Sequence, residues 1–298
     1  MAKKHNFKGT FINVLKHNKD GSFSTQASRR KILIQTAEVL WQMGYKLDSA
    51  KFIRTRHVYK LIEHWKTNGD QAGTLRNKMA ALRWLMEKFN RADVVPGNET
   101  LKIPKRQYVT NQDKSRDLSE DDLKQIKQPL RKMSLRAQKL FGLRIEESLK
   151  IQPHVADLGD KLYLKDSWTK GGRARHVPIK TKEQRQWLDE AKALVKYKTQ
   201  SLIPQDKSYG QYLKSTYKYY ERKGISRTHG LRHLYAQKVY KELTGWECPA
   251  KGGLSRKQLS SEQKVTDKEV RLQISENLGH CRISIVAQYC GKQVIMYS

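Results

Sequence analysis

Apolar residues recur at helical spacing from Ser24 to about Asn90. One set is Leu33, Ala37, Leu40 and Trp41; a second is Val58, Leu61, Ile62 and Trp65; a third is Leu75, Met79, Leu82, Leu85, Met86 and Phe89. Three amphipathic helices of this size predict a small bundle with the Trp and Leu side chains as its core. The opposite faces hold Arg29, Arg30, Lys31, Arg54, Arg56, Arg76, Lys78 and Arg83. Residues 1–24 carry Lys8, Lys16 and Lys19 among Asn, Gly, Ser and Thr with little apolar periodicity, and read as a basic, loosely docked arm.

Residues 93–116, with Pro96, Gly97, Pro104, Lys105 and Arg106, read as a basic linker to a second domain over 117–298. Ser119 followed by Asp122 is a helix start of the capping-box kind. Gly142 interrupts a helical stretch from Leu135 to Ile151, which puts Arg144 at a turn. Residues 161–179 switch to a strand pattern: Leu162, Tyr163 and Leu164, a Gly171-Gly172 turn, then Val177 and Ile179. Helical spacing returns at 181–198 and 208–223, where Tyr212, Tyr217, Tyr219 and Tyr220 suit core packing first and nucleic-acid backbone second. Residues 244–266 are rich in Gly, Ser and Lys. The expected class is therefore mainly α with a small β-hairpin, α+β, in two domains.

Charge narrows the partner. The 298 residues include 60 Lys and Arg against 29 Asp and Glu, a net charge of +31, with 37% hydrophobic residues. A folded chain this basic is built for a polyanion, and nucleic acid suits it better than a ribosomal or membrane-surface role. No apolar run approaches the roughly 20 residues that span a bilayer, and the first residues lead into no signal-peptide core. The expectation is a soluble, intracellular protein. Cys248, Cys281 and Cys290 lack metal-ligand spacing and read as ordinary reduced thiols.

Candidate chemistry gathers in the last quarter, from Thr228-His229-Gly230-Leu231-Arg232-His233 through Asn277-Leu278-Gly279-His280 to Tyr289. Arg holds two phosphate oxygens at once, His moves a proton near neutrality, and Tyr offers an oxygen nucleophile once positive neighbours stabilise the phenolate. An alternative for Tyr289 is a buried helix tyrosine; Tyr235, Tyr240 and Tyr297 are rival nucleophiles with poorer spacing. For Arg144 the bland reading is an ion pair with Glu146 or Glu147, and for Lys170 a solvated hairpin tip.

The order of these motifs resembles the tyrosine recombinases, the phage-integrase family. Its pattern is a His-x-x-Arg pair, then Leu-Gly-His, then a Tyr nine residues beyond that His. His229, Arg232, His280 and Tyr289 match it. Residues 244–266 lengthen the stretch between Arg232 and Leu278-Gly279-His280 beyond what is usual in that family, and so look like a surface insertion. Phe141-Gly142-Leu143-Arg144-Ile145-Glu146-Glu147 resembles the family's first Arg motif, and Lys170 its hairpin lysine. The resemblance implies that Arg144 and Arg232 clamp the scissile phosphate and that His280 adds a hydrogen bond. It further implies that His229 assists proton removal from Tyr289, that Lys170 protonates the leaving 5′ oxygen, and that Glu147 supports from behind. Arg173 and Arg175 join the linker and helical-domain cations as expected DNA contacts. Double-stranded DNA, a homo-tetramer on two sites and accessory DNA-bending or directionality proteins are the implied partners, in the bacterial cytoplasm. No metal, ATP or other cofactor is implied. Topoisomerase-IB-like relaxation, a noncatalytic DNA-binding protein on this fold, and RNA binding stay open on the residues alone.

Overall fold

The computed structural model describes residues 4–255, 257–280 and 282–292; Cys281 and Tyr297, named above, lie outside the described residues. The chain divides into two units, Met1–Gln107 and Tyr108–Ser298.

The first unit is built from α1 (Lys4–His17), α2 (Phe23–Gln42), α3 (Thr55–Thr67) and α4 (Ala72–Glu87). Ser22 starts α2 by accepting the Thr25 N–H at 3.2 Å, and His57 starts α3 by accepting the Arg54 N–H at its Nδ1. Leu33, Leu40, Leu61, Trp65, Met79, Leu82 and Leu85 form the core, as the periodicity predicts. Two expectations fail here. Residues 4–17 are not a loose arm: Phe7 and Phe11, one helical turn apart, are buried in that core edge to face, and Lys8 pairs with Glu38 on α2. The start of the supposed linker is also core, because Val94, Val95, Leu101 and Ile103 are buried on the same cluster. Arg83 ties this segment down through Pro96 O and Asn98 Oδ1, and Arg76 through Ile103 O and Pro104 O. The boundary between units falls after Gln107, beyond most of the predicted linker.

In the second unit α5 (Glu120–Lys124) opens on the reciprocal Ser119–Asp122 bonds that the sequence announces. α6 (Pro129–Phe141) ends at Gly142, whose φ of 62° is left-handed; a Cβ there would meet the Tyr235 ring at 2.5 Å. α7 (Ile145–Lys150) and α8 (Pro153–Ala156) follow. β1 (Lys161–Leu164) and β2 (Arg175–Pro178) pair antiparallel, Lys161 opposite Pro178, in a two-stranded sheet. The hairpin tip is closed by Thr169, whose hydroxyl accepts the Arg173 N–H and donates to the Arg173 carbonyl.

α9 (Lys182–Leu194), α10 (Tyr209–Arg222), α11 (His229–Thr244), α12 (Ser261–Asn277) and α13 (Ala287–Cys290) complete the unit. α11 runs through it, flanked by α6, α12 and α13, and the main core gathers Phe141, Leu162, Val177, Trp187, Tyr240 and Ile274. Of the tyrosine cluster, Tyr212 and Tyr220 are core while Tyr217 is half exposed. The stretch 244–266 is not wholly a surface insertion. Cys248 and Ala250 are buried in the main core, the Cys248 thiol against that of Cys290, and Lys251 pairs with Asp113 at 2.8 Å.

Candidate active site

The site forms where three chain breaks meet. Gly142 turns the chain after α6 so that Arg144 caps α7; α12 ends at Leu278-Gly279, which turns His280 inward; and the single turn of α13 presents Tyr289. Gly279 is required because its φ is 67° and a Cβ would lie 2.9 Å from the Arg175 side chain.

Glu147 is the hub. Its carboxylate, 0% exposed, accepts the Arg144 N–H at 2.8 Å and the Arg144 Nη1 at 2.7 Å. It receives Arg175 through Nη1 at 3.0 Å and Nη2 at 2.8 Å, and lies 3.8 Å from Arg232. Burial works to raise its pKa, but hydrogen bonds and charge from Arg175, then the charges of Arg232 and Arg144, hold it at about 2. The ion pair weighed for Arg144 therefore exists, and it orients the guanidinium rather than hiding it, since Arg144 still lines an open cleft. Arg175 departs from expectation: it is buried, bound to Glu147 and to Asn277 O at 2.9 Å, and positions the site instead of facing a DNA backbone. On β2 it points inward with Val177, two residues on.

Arg232 is 1% exposed. Its Nη1 donates to Gly142 O at 2.5 Å, its Nη2 to Leu278 O, and its Nε to the Tyr289 hydroxyl at 3.3 Å. Burial lowers its pKa to about 10, so the group stays charged. His280 Nε2 meets donors on three sides: the Tyr289 hydroxyl at 3.2 Å, Arg232 Nη2 at 3.4 Å and Arg144 Nη2 at 3.5 Å. A nitrogen so surrounded carries the lone pair, which places the proton on Nδ1. Burial, then the charges of Arg232 and Arg144, push its pKa down to about 4. His229 was expected beside the phenol; its ring lies 6.1 Å from that of Tyr289, and the phenol hydroxyl donates to His280 Nε2 instead.

Arg144, His229 and Lys170 line a cleft of about 710 Å³, together with Tyr209, Tyr217 and Arg227. Lys170 is exposed on the hairpin tip, as is Arg173. Two of the three rival nucleophiles are spent: Tyr235 is buried and bonded to Asn277, with its pKa pushed up to about 12 by burial, and Tyr240 is bonded to Asp267. His233 belongs to the motif stretch, but gains no role from the sequence alone. Its ring packs 4.8 Å from that of Tyr289 and its Nδ1 is buried without a partner. The signal was its position four residues after His229, on the same face of α11.

The other expected DNA contacts divide. Arg30, Lys31, Arg54, Arg56, Lys105 and Arg106 are exposed. Arg29 lies over Trp84, Lys78 is paired with Asp70 over Trp65, and Arg76 and Arg83 serve backbone carbonyls. Among the described residues no group of three His, Cys, Asp or Glu is placed to hold a metal ion, and no helix is long and apolar enough to cross a membrane.

Guanidinium groups and an imidazole close around a phenol on this helical scaffold. The chain belongs to the tyrosine recombinase, or phage integrase, family: residues 9–95 match a family described as phage integrase, N-terminal, and residues 109–238 one described as integrase. The second match stops before His280 and Tyr289. Solved structures share the fold. A lambda integrase dimer bound to a COC′ core site is 14% identical with a TM-score of 0.62, over 99% of this chain and 79% of that one. XerH recombinase bound to palindromic difH is 18% identical with a TM-score of 0.57, over 95% and 80%. Tn1549 transposon integrase with circular intermediate DNA is 14% identical with a TM-score of 0.53, over 97% and 96%. No curated protein matches the sequence.

Proposed function

We propose that the protein is a site-specific DNA recombinase that breaks and rejoins strands through a 3′-phosphotyrosine, in the integration or excision of a mobile element. The observation that carries this reading is the Tyr289 hydroxyl held between His280 Nε2 and Arg232 Nε. The scissile phosphate enters from the cleft and seats against the Arg144 and Arg232 guanidinium groups, which bind its nonbridging oxygens. His280 accepts the phenol proton on its free Nε2, and the phenolate attacks phosphorus. Lys170, on the tip beside the cleft, protonates the departing 5′ oxygen. His229, with its open position beside Arg144, contacts the phosphate rather than the phenol. The ester energy is kept in the phosphotyrosine, so a second 5′ hydroxyl reverses the attack and reseals the strand.

Double-stranded DNA as partner is supported by the DNA complexes of the fold relatives and by the net charge of +31. Four subunits on two duplexes complete the exchange.

The test is a covalent trap with nicked duplexes drawn from DNA flanking the gene. The native chain forms a protein–DNA adduct, and Tyr289→Phe forms none. An adduct that survives Tyr289→Phe overturns the assignment, and supercoil relaxation without any recombinant product favours a topoisomerase.

A further inference from the structure

The helical turn that carries Tyr289 cannot hold itself in place. α13 has four residues, well below the length at which a helix is stable alone, so its position must come from contacts with the rest of the unit. Several of those contacts are made by polar side chains from distant parts of the sequence. Asn111 spends both ends of its amide on one residue: Nδ2 donates to Lys292 O at 3.0 Å and Oδ1 accepts the Lys292 N–H at 2.7 Å. Its φ of 51° is a left-handed value that Asn tolerates better than most residues. Gln237, on α11, donates through Nε2 to the Tyr289 carbonyl at 3.1 Å and to Asp113 Oδ1 at 3.0 Å. Asp113 is fixed in turn by the Ser115 N–H and by Lys251, each at 2.8 Å. Burial opposes the charge on Asp113, but the Lys251 and Gln237 bonds outweigh it and keep the carboxylate ionised.

We propose that Asn111, Asp113, Gln237 and Lys251 form a clasp that docks the Tyr289 turn against its own chain, and that they are positioning residues for the nucleophile. None of them touches the reacting atoms. They act on the backbone at and just after the phenol's residue, at Tyr289 O and at Lys292, and so set how much of the time its hydroxyl lies at His280 and Arg232. The stretch 244–266 thereby gains a role, since it supplies Lys251. A clasp of a few polar bonds opens at less cost than global unfolding, which leaves the turn docked yet releasable. The docking itself is independent of the proposed reaction; the positioning role rests on Tyr289 being the nucleophile.

The full chain tests it with Asn111→Gly, which keeps the backbone angle and removes both bonds, and with Asp113→Asn, which keeps the shape and removes the charge. Two quantities are read. The first is alkylation of Cys290 by iodoacetamide, mapped by peptide mass, because this thiol is buried with Sγ toward Ala236 O and is freed only if the turn leaves. The second is the single-turnover rate of adduct formation at saturating nicked DNA. We expect Cys290 to react about tenfold faster and the adduct to form about tenfold more slowly, with DNA affinity and the thermal midpoint near native. Unchanged labelling in both variants overturns the clasp. A rate that recovers fully at saturating DNA overturns the positioning role, since the loss is then one of binding. Faster labelling in the variants, with no adduct even from the native chain, keeps the clasp and refutes Tyr289 as nucleophile.

Discussion

Glu147 has no solvent to share its charge and three guanidinium groups that depend on it. Glu147→Gln leaves Arg175 and Arg232 buried without a counter-charge, and should cost about 3–5 kcal/mol in a denaturant unfolding experiment. The two imidazoles beside Tyr289 give a pH signature. His233 and His280 are each held near 4 by burial first, His233 then by the His229 charge and His280 by Arg232. An unfolded histidine takes its proton near pH 6.5, so their contribution is fully present above that value and is lost as pH falls from about 6.5 towards 4. Glu147 adds a second loss between about 4.5 and 2, because its folded pKa is depressed. Melting temperatures of the DNA-free protein should fall in the upper window first, and His233→Gln should shrink that drop.

At this scale the sequence was most informative about residues that share a motif. Arg144, His280 and Tyr289 converge because each sits at a chain break that its neighbouring residues encode, and Arg232 meets them from the first turn of α11. Arg175 misled because a basic residue near a hairpin tip looks solvated; only its two-residue spacing from Val177 hinted that it faces inward. Asn111 gave no local signal, and Asp113 only that of a turn with Ser115. The partners that matter to the clasp, Lys292 and Gln237, lie more than a hundred residues away, and no spacing rule reaches so far.

Among the elements, the turn after α6 decides where two of the site's anchors lie. Gly142 supplies both the left-handed bend that leads to Arg144 and the carbonyl that holds Arg232 Nη1. Gly142→Ala should destabilise by about 1–2 kcal/mol from handedness alone, and by more once the Tyr235 ring is displaced, as read by thermal unfolding. The helices of the first unit were legible wherever three or more apolar residues kept helical spacing. α1 keeps that spacing too, through Phe7, Phe11, Val14 and Leu15, but the Lys, His and Asn residues between them made the stretch read as a basic arm. Residues 94–103 were missed for the opposite reason: Pro96 and Gly97 announce a loop, and a loop can still bury Val94, Leu101 and Ile103.

For the whole molecule the dominant quantity is charge, and its distribution decides which cations can serve DNA. Exchanging exposed Arg30, Lys31, Arg54 or Arg56 for Gln should weaken duplex binding about equally across sequences, and each should reduce the slope of log affinity against log salt by about one. Arg83→Gln should act mainly on stability, because its guanidinium is spent on Pro96 and Asn98. A titration from 50 to 200 mM salt separates the two kinds. The excess of +31 is trimmed at one point that matters. Three guanidinium groups around Glu147 leave a surplus of two positive charges. An intact phosphodiester cancels one of them; a five-coordinate phosphorus with both axial oxygens attached, on the proposed reaction, cancels both. The phenol proton stays in the site on His280, so the total charge does not change; what the buried carboxylate sets is the guanidinium surplus, which matches the half-broken strand rather than resting DNA and so restrains the grip on the intact phosphodiester.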